Sequence, residues 1–197
     1  HVGLPDQLGF GRRRMDVDPD DLCDNALYQI GALAAFVGAE GVTLAHVKPH
    51  GALYAMCSAS GELAAAVARA TAQVDSSLPL LLLNDRSRSA VEAEGVRLVT
   101  EGFPDLEYEP DGRLVIESVK SASDPVWVAQ RAISLAQGGA ITARDGTWLT
   151  VGGPTLCLHG DAPNAVAVAQ AVRTALADAG IQVAPLRVLI DQAGDNR

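Results

Sequence analysis

The segment HVKPHGALY, His46 to Tyr54, sets His46, Lys48 and His50 at alternate positions directly after the apolar run VTLA. Alternate side chains of an extended strand share a face, so an ammonium and up to two imidazoles meet at one strand end. Pro49 disfavours helical geometry at Lys48 and ends the ladder, and Gly51 lets the backbone turn away. TLCLHGD repeats the form: Cys157 and His159 alternate with Leu156 and Leu158, Gly160 releases the chain, and Asp161 follows. HVGLPD offers His1 and Asp6 in a third such place. All four histidines therefore fall at expected strand ends, which favours a shared cleft over separate accidents.

Carboxylates complete the chemistry. Glu101 closes VRLVTE, and Asp105 and Tyr108 follow in the next loop. A carboxylate at a strand mouth near lysine and histidine can exchange protons with them, as general acid–base catalysis requires; a surface glutamate is the plainer alternative. In LGFGRRR two glycines precede Arg12, Arg13 and Arg14, a turn whose guanidinium groups suit a carboxylate or phosphate, or form a solvated basic loop. Histidine and aspartate also suit zinc or manganese, but there is no HExxH and no local pair of ligands, so no tightly bound metal is expected. No GxSxG elbow supports a serine nucleophile.

These groups need elements to position them. Asp18, Pro19, Asp20 and Asp21 form a helix start, and Leu22, Ala26, Ile30, Leu33 and Val37 then make one apolar stripe that stops before Gly41. VTLAHVK follows as a strand. SGELAAAVARATAQV predicts a helix, LPLLLL a buried strand, RSRSAVEAEG a helix and VRLVTE a strand. EPDGRLV and ARDGTWLTV carry Asp-Gly hairpin signals. Between them, DPVWVAQRAISLAQGG predicts a helix capped by Asp124. PTLCLHG then predicts a strand, APNAVAVAQAVRTALADAG a helix, and IQVAP a last strand. Helices alternating with short apolar strands imply βαβ units and a mostly parallel sheet, with chemistry at the carboxyl ends of the strands.

The chain of 197 residues is 48% hydrophobic but only 4% aromatic, which suits an Ala, Val and Leu core in one domain. Fifteen basic against 24 acidic residues give a net charge of −9. With no long basic run, nucleic acid and anionic membranes are disfavoured as partners. Cys23, Cys57 and Cys157 are odd in number and form no CxxC pair, which predicts packing thiols in a reducing, cytoplasmic compartment. No uninterrupted apolar run approaches the roughly 20 residues of a membrane span, and no signal peptide is visible.

Five segments, GFGRRRMD (9 to 16), LYQIGAL (27 to 33), HVKPHGALY (46 to 54), EGFPDLEYEPDGRL (101 to 114) and LHGD (158 to 161), resemble the LamB/YcsF family in order and spacing over nearly the whole chain. The resemblance implies a seven-stranded (β/α) barrel of the glycoside hydrolase/deacetylase type, spanning residues 1 to 197 as one domain. The family's characterised activity is that of the A subunit of bacterial 5-oxoprolinase. It therefore implies hydrolytic opening of the 5-oxoproline lactam to glutamate, with ATP and magnesium, beside two partner subunits that resemble the halves of allophanate hydrolase. A homo-oligomer is compatible with the sequence.

On that reading Lys48 stabilises the phosphorylated or tetrahedral species, and His50 and His159 transfer protons or orient an oxyanion. Glu101, Asp105 and Asp161 orient those groups or activate water. Arg12 and Arg13 bind anions, with His1, Asp6, His46 and Tyr54 as further substrate-binding candidates. The chain also departs from the family. It is expected to lack the N-terminal strands, Val2 replaces a usual proline, Leu106 replaces an arginine, and Glu117 stands where another arginine is common. Two rival readings follow: a zinc amidase or deacetylase using His1, His159 and Asp161, and a degenerate regulatory protein without catalysis.

Overall fold

A computed structural model describes residues 1–116 and 120–194, without the side chains of 191–194. Glu117 lies outside the described residues. The chain forms two compact units, His1–Thr100 and Glu101–Arg197.

In the first unit, α1 (Pro19–Ala39) starts as expected: the Asp18 carboxylate accepts from the backbone N–H of Asp20 at 2.8 Å, with Pro19 in the first turn. Leu22, Cys23, Ala26 and Ile30 form its buried stripe against α3, whereas Leu33 is exposed. α1 is also long and apolar enough to cross a membrane by length and composition, against the expectation from unbroken apolar runs. The apolar run is broken at Asp24, Asn25 and Gln29, but the helix averaged over its length is still apolar.

VTLAHVK does not form the expected strand; only Val47 pairs, in a parallel bridge to Leu80. Directly after it, α2 (Gly51–Ala59) was not anticipated, because Pro49 and Gly51 suggest a turn. α3 (Gly61–Asp75) begins at Ser60, whose hydroxyl accepts from the N–H of Leu63. β1 (Leu80–Leu82), α4 (Arg88–Ala93) and β2 (Leu98–Gly102) follow, and Leu80, Leu81 and Leu82 pair in parallel with Leu98, Val99 and Thr100.

In the second unit the last residues of β2, Glu101 and Gly102, pair in parallel with Thr155 and Leu156 of β5 (Thr155–Leu156). α5 (Pro125–Ala136) is capped by Asp124, and it packs on α6 (Ala165–Asp178) through Val128, Ala132, Val168, Val172 and Leu176. β3 (Ala140–Thr142) and β4 (Trp148–Thr150) make the antiparallel hairpin predicted from Asp145 and Gly146. The other Asp-Gly turn closes with the Tyr108–Leu114 bridge. IQVAP forms no strand; α7 (Leu186–Gly194) comes next, and among the described residues no strand pairs with the branched residues at 181 and 183. The fold is thus mixed α/β with parallel strand pairing, and the described pairings do not close a barrel.

Candidate active site

In the second unit, β2 and β5 lie side by side and end together, which brings the loop after each into reach of the other. Cys157 N–H extends the pairing to Gly102 O at 2.8 Å. Two residues further, the backbone N–H of His159 donates to Asp105 Oδ2 at 2.7 Å, and His159 Nδ1 faces the same oxygen at 3.0 Å. Fifty-four residues of sequence separate the pair. A carboxylate only accepts, so Nδ1 carries a proton, and in the neutral form of the ring the lone pair is then on Nε2. Phe103 stacks on the imidazole, centroid to centroid 5.8 Å at 26°. The Asp105 side chain is 8% exposed and its described hydrogen bonds all go to His159.

The loop carrying Asp105 is anchored from both sides. Phe103 N–H donates to the Tyr108 hydroxyl at 2.9 Å. Tyr108 is fully buried, which pushes its phenol up to about 12. Glu101, at the carboxyl end of β2, is 2% exposed. Asp161 is half exposed, with Lys120 Nζ 4.0 Å from its Oδ1. The segments bearing these two residues are joined by Asn164 and Ser123, which exchange side-chain-to-backbone bonds at 2.7 and 3.1 Å.

In the first unit the structure sorts the remaining candidates. Arg13 is committed to Asp6: its guanidinium and backbone N–H, with the N–H of Gly9, all donate to that carboxylate. The Arg13 hydrogen bonds hold the Asp6 carboxyl down at about 2, and Asp6 in turn raises the Arg13 value. Arg12 is exposed beside the Phe10 ring, 5.7 Å away. His50 occupies the N-cap position of α2 without capping it, and its Nε2 donates to Phe10 O at 2.8 Å, so Nδ1 is its other ring nitrogen for proton transfer. The His1 and Phe10 rings meet His50 edge-on at 4.9 and 5.1 Å. Lys48 Nζ lies 5.4 Å from the Tyr54 ring, and His46 is exposed. Cys57 is buried, which raises its thiol to about 12, so it is a packing thiol. Among the described residues no three His, Cys, Asp or Glu side chains are grouped to hold a metal ion.

Residues 1–191 match the profile of the LamB/YcsF family. The chain belongs to that family. Its relatives include a protein of Thermus thermophilus, 44% identical over 93% of this chain and 74% of its own length, and one of Methylococcus capsulatus, 43% identical over 94% and 73%. Both are named as the A subunit of 5-oxoprolinase. The crystal structure of the lactam utilization protein from a second strain of T. thermophilus is similar in fold, with a TM-score of 0.83 and 41% identity over 94% of this chain and 75% of that one.

Lys120 and Arg131 were not among the candidates. For Arg131 a signal existed: it falls three residues after Val128 and four before Leu135, on the stripe that α5 buries. For Lys120 there was none. Leu106, where the LamB/YcsF resemblance leads one to expect arginine, is buried with its side chain in the core.

Proposed function

We propose that this LamB/YcsF chain is the A subunit of a 5-oxoprolinase, which opens the lactam of 5-oxoproline with water to give glutamate. The observation that carries the chemistry is the Asp105 carboxylate accepting from both the main chain and Nδ1 of His159. The substrate comes from the relatives' shared name.

His159 Nε2 takes the proton from the attacking water as its oxygen bonds to the lactam carbonyl carbon, and returns it to the ring nitrogen as the C–N bond breaks. Asp105 fixes the tautomer and stabilises the imidazolium formed in between. ATP would supply a phosphoryl group to activate the amide oxygen; opening of the activated ring by the first water would leave an acyl phosphate, which a second water would cleave to phosphate and glutamate. Lys48 and Arg12 are the cationic candidates for phosphate or for the substrate carboxylate; the Arg13 guanidinium bonds Asp6. Magnesium in this reading would accompany the nucleotide, since it is held mainly by phosphate oxygens and water. Glu101 and Asp161 are carboxylates in reserve for water activation.

The finer proposals are a (β/α) barrel, supported by the parallel pairing of β1, β2 and β5, work beside two further 5-oxoprolinase subunits, supported by the relatives' designation as A subunits, and a cytoplasmic setting, supported by an odd number of cysteines without a CxxC motif. The test is ATP-dependent glutamate release by the full-length chain combined with its partner subunits. His159→Gln should lose about 10²–10⁴-fold in turnover, and Lys48→Ala should lower kcat/KM. Wild-type rates in His159→Gln would sink the mechanism. Partner binding without any glutamate release by the wild type would favour the regulatory reading instead.

A further inference from the structure

Arg131 lies on α5 and is 7% exposed, yet among the described residues no carboxylate is bonded to it; its guanidinium donates to main-chain carbonyls. Nε reaches Pro104 O at 3.0 Å, Nη2 reaches Leu106 O at 2.8 Å, and Nη1 reaches Thr142 O at 3.3 Å. The first two carbonyls flank Asp105. The guanidinium also lies over the Trp127 ring at 4.4 Å and 5.8 Å from the Tyr108 ring. Burial lowers its pKa, partly offset by electrostatic interaction with Tyr108, Glu107 and Asp105, but an arginine stays protonated. A buried cation is costly unless its donors are satisfied, and a leucine or methionine would fill this helix position without that cost. What an aliphatic side chain lacks is the planar fork that fixes two carbonyls at once.

We propose that Arg131 is a positioning residue for the proton-transfer pair: by gripping the peptide groups on both sides of Asp105 it holds that carboxylate on Nδ1 of His159. The Tyr108 hydroxyl fixes the start of the loop at Phe103, and Arg131 fixes its middle. Without the fork the 104–106 peptides can rotate, and the carboxylate moves with them. A displacement of about 1 Å at such a group can cost on the order of 100-fold in rate. The kinetic consequence rests on the reading of His159 as the proton-transfer group; the structural consequence does not.

The experiment uses the full chain with 15N-labelled histidine. There are four histidines, so the His159 signals are assigned by their loss in His159→Gln. The wild type should show His159 as the Nδ1–H tautomer with a downfield, slowly exchanging proton. Arg131→Met should lose that signature and lower kcat about 10- to 100-fold at nearly constant KM. Val128→Ala, on the same buried stripe of α5 but bonded to no loop carbonyl, should lower the melting temperature and keep both. Should Arg131→Met fail to fold, Arg131→Lys, whose ammonium lacks the planar fork that fixes two carbonyls at once, should weaken the signature. A signature retained in Arg131→Met or Arg131→Lys, or lost equally in Val128→Ala, overturns the proposal. A signature lost with turnover intact sustains the positioning role and instead removes His159 from the proposed mechanism.

Discussion

Replacing Asp105 by asparagine strikes the pair at its charge. The substitution keeps the side-chain volume and one oxygen acceptor for the His159 backbone N–H, now at 2.7 Å from Oδ2, but removes the negative charge facing Nδ1 at 3.0 Å. A hydrogen bond to a charged group is worth about 1.5–3 kcal/mol. At about 1.4 kcal/mol per factor of ten, its loss predicts a roughly 10- to 150-fold fall in kcat. If the amide turns its NH2 toward the ring, Nδ1 must accept, Nε2 carries the proton, and the base is lost, which extends the fall toward the roughly 10²–10⁴-fold value of general-base catalysis.

The assay is steady-state glutamate release with ATP and the partner subunits, with kcat and KM separated and folding checked by thermal melting. Groups that act as a unit are not additive. Asp105→Asn combined with His159→Gln should therefore be scarcely slower than His159→Gln alone. A folded Asp105→Asn variant within threefold of wild type, or a double variant in which the two losses multiply, would refute the reasoning.

Three further expectations concern the scaffold. The Asp6 carboxyl is held at about 2, chiefly by hydrogen bonds from Arg13, against an ordinary 3.8. Its stabilising effect is complete above the ordinary value and is lost as pH falls through the lowered one. Asp6→Asn should accordingly flatten the fall in melting temperature from pH 3.8 down to pH 2; an unchanged acid limb would contradict the pairing. Gly51 has φ +58°, and a Cβ there would sit 2.6 Å from Gly11 O. Gly51→Ala should thus cost more than the ~1–2 kcal/mol of the left-handed conformation alone, read as a lower urea midpoint, and an equal midpoint would rule the clash out. Tyr108→Phe leaves the buried Phe103 N–H without its acceptor, a loss of about 1–3 kcal/mol and about 2–4 °C of melting temperature per kcal/mol. Equal melting would show that the hydroxyl does not hold the loop.

Local chemistry was legible where its partner lies a few residues away. Asp18, Ser60 and Asp124 each accept from an N–H two or three residues on, so the helix starts could be read directly. The Asp-Gly hairpins follow the same logic, with Gly112 and Gly146 at φ 82° and 89°. α2 was not legible because its entry depends on a distant group: His50 provides no side-chain cap, and the N–H of Ala52 is satisfied by Gly11 O. VTLAHVK and IQVAP show the opposite failure. Their branched residues favour strands, but a strand exists only where a neighbour pairs with it. The site follows the same division. His159 and Asp105 were chosen for their types at segment ends, whereas their pairing arises from the parallel register of β2 and β5. Arg13 looked like an anion ligand until its partner seven residues earlier was placed.

Position 106 shows why a residue-by-residue comparison misjudges this loop. Leucine in place of the expected arginine suggests a lost cation, and hence a weakened anion site. In the structure the Leu106 side chain is buried, and its carbonyl accepts from Arg131 on another element. A guanidinium is therefore present at the loop, but it arrives from α5 and spends its donors on Pro104, Leu106 and Thr142. Donors so engaged cannot also chelate a phosphate, so Arg131 does not replace an anion-binding arginine at 106. What it supplies is the backbone geometry that aims Asp105. The consequence for function is specific: the departure at 106 should bear on how this chain binds anionic groups, while the Asp105–His159 pair, held by residues independent of that side chain, keeps its geometry.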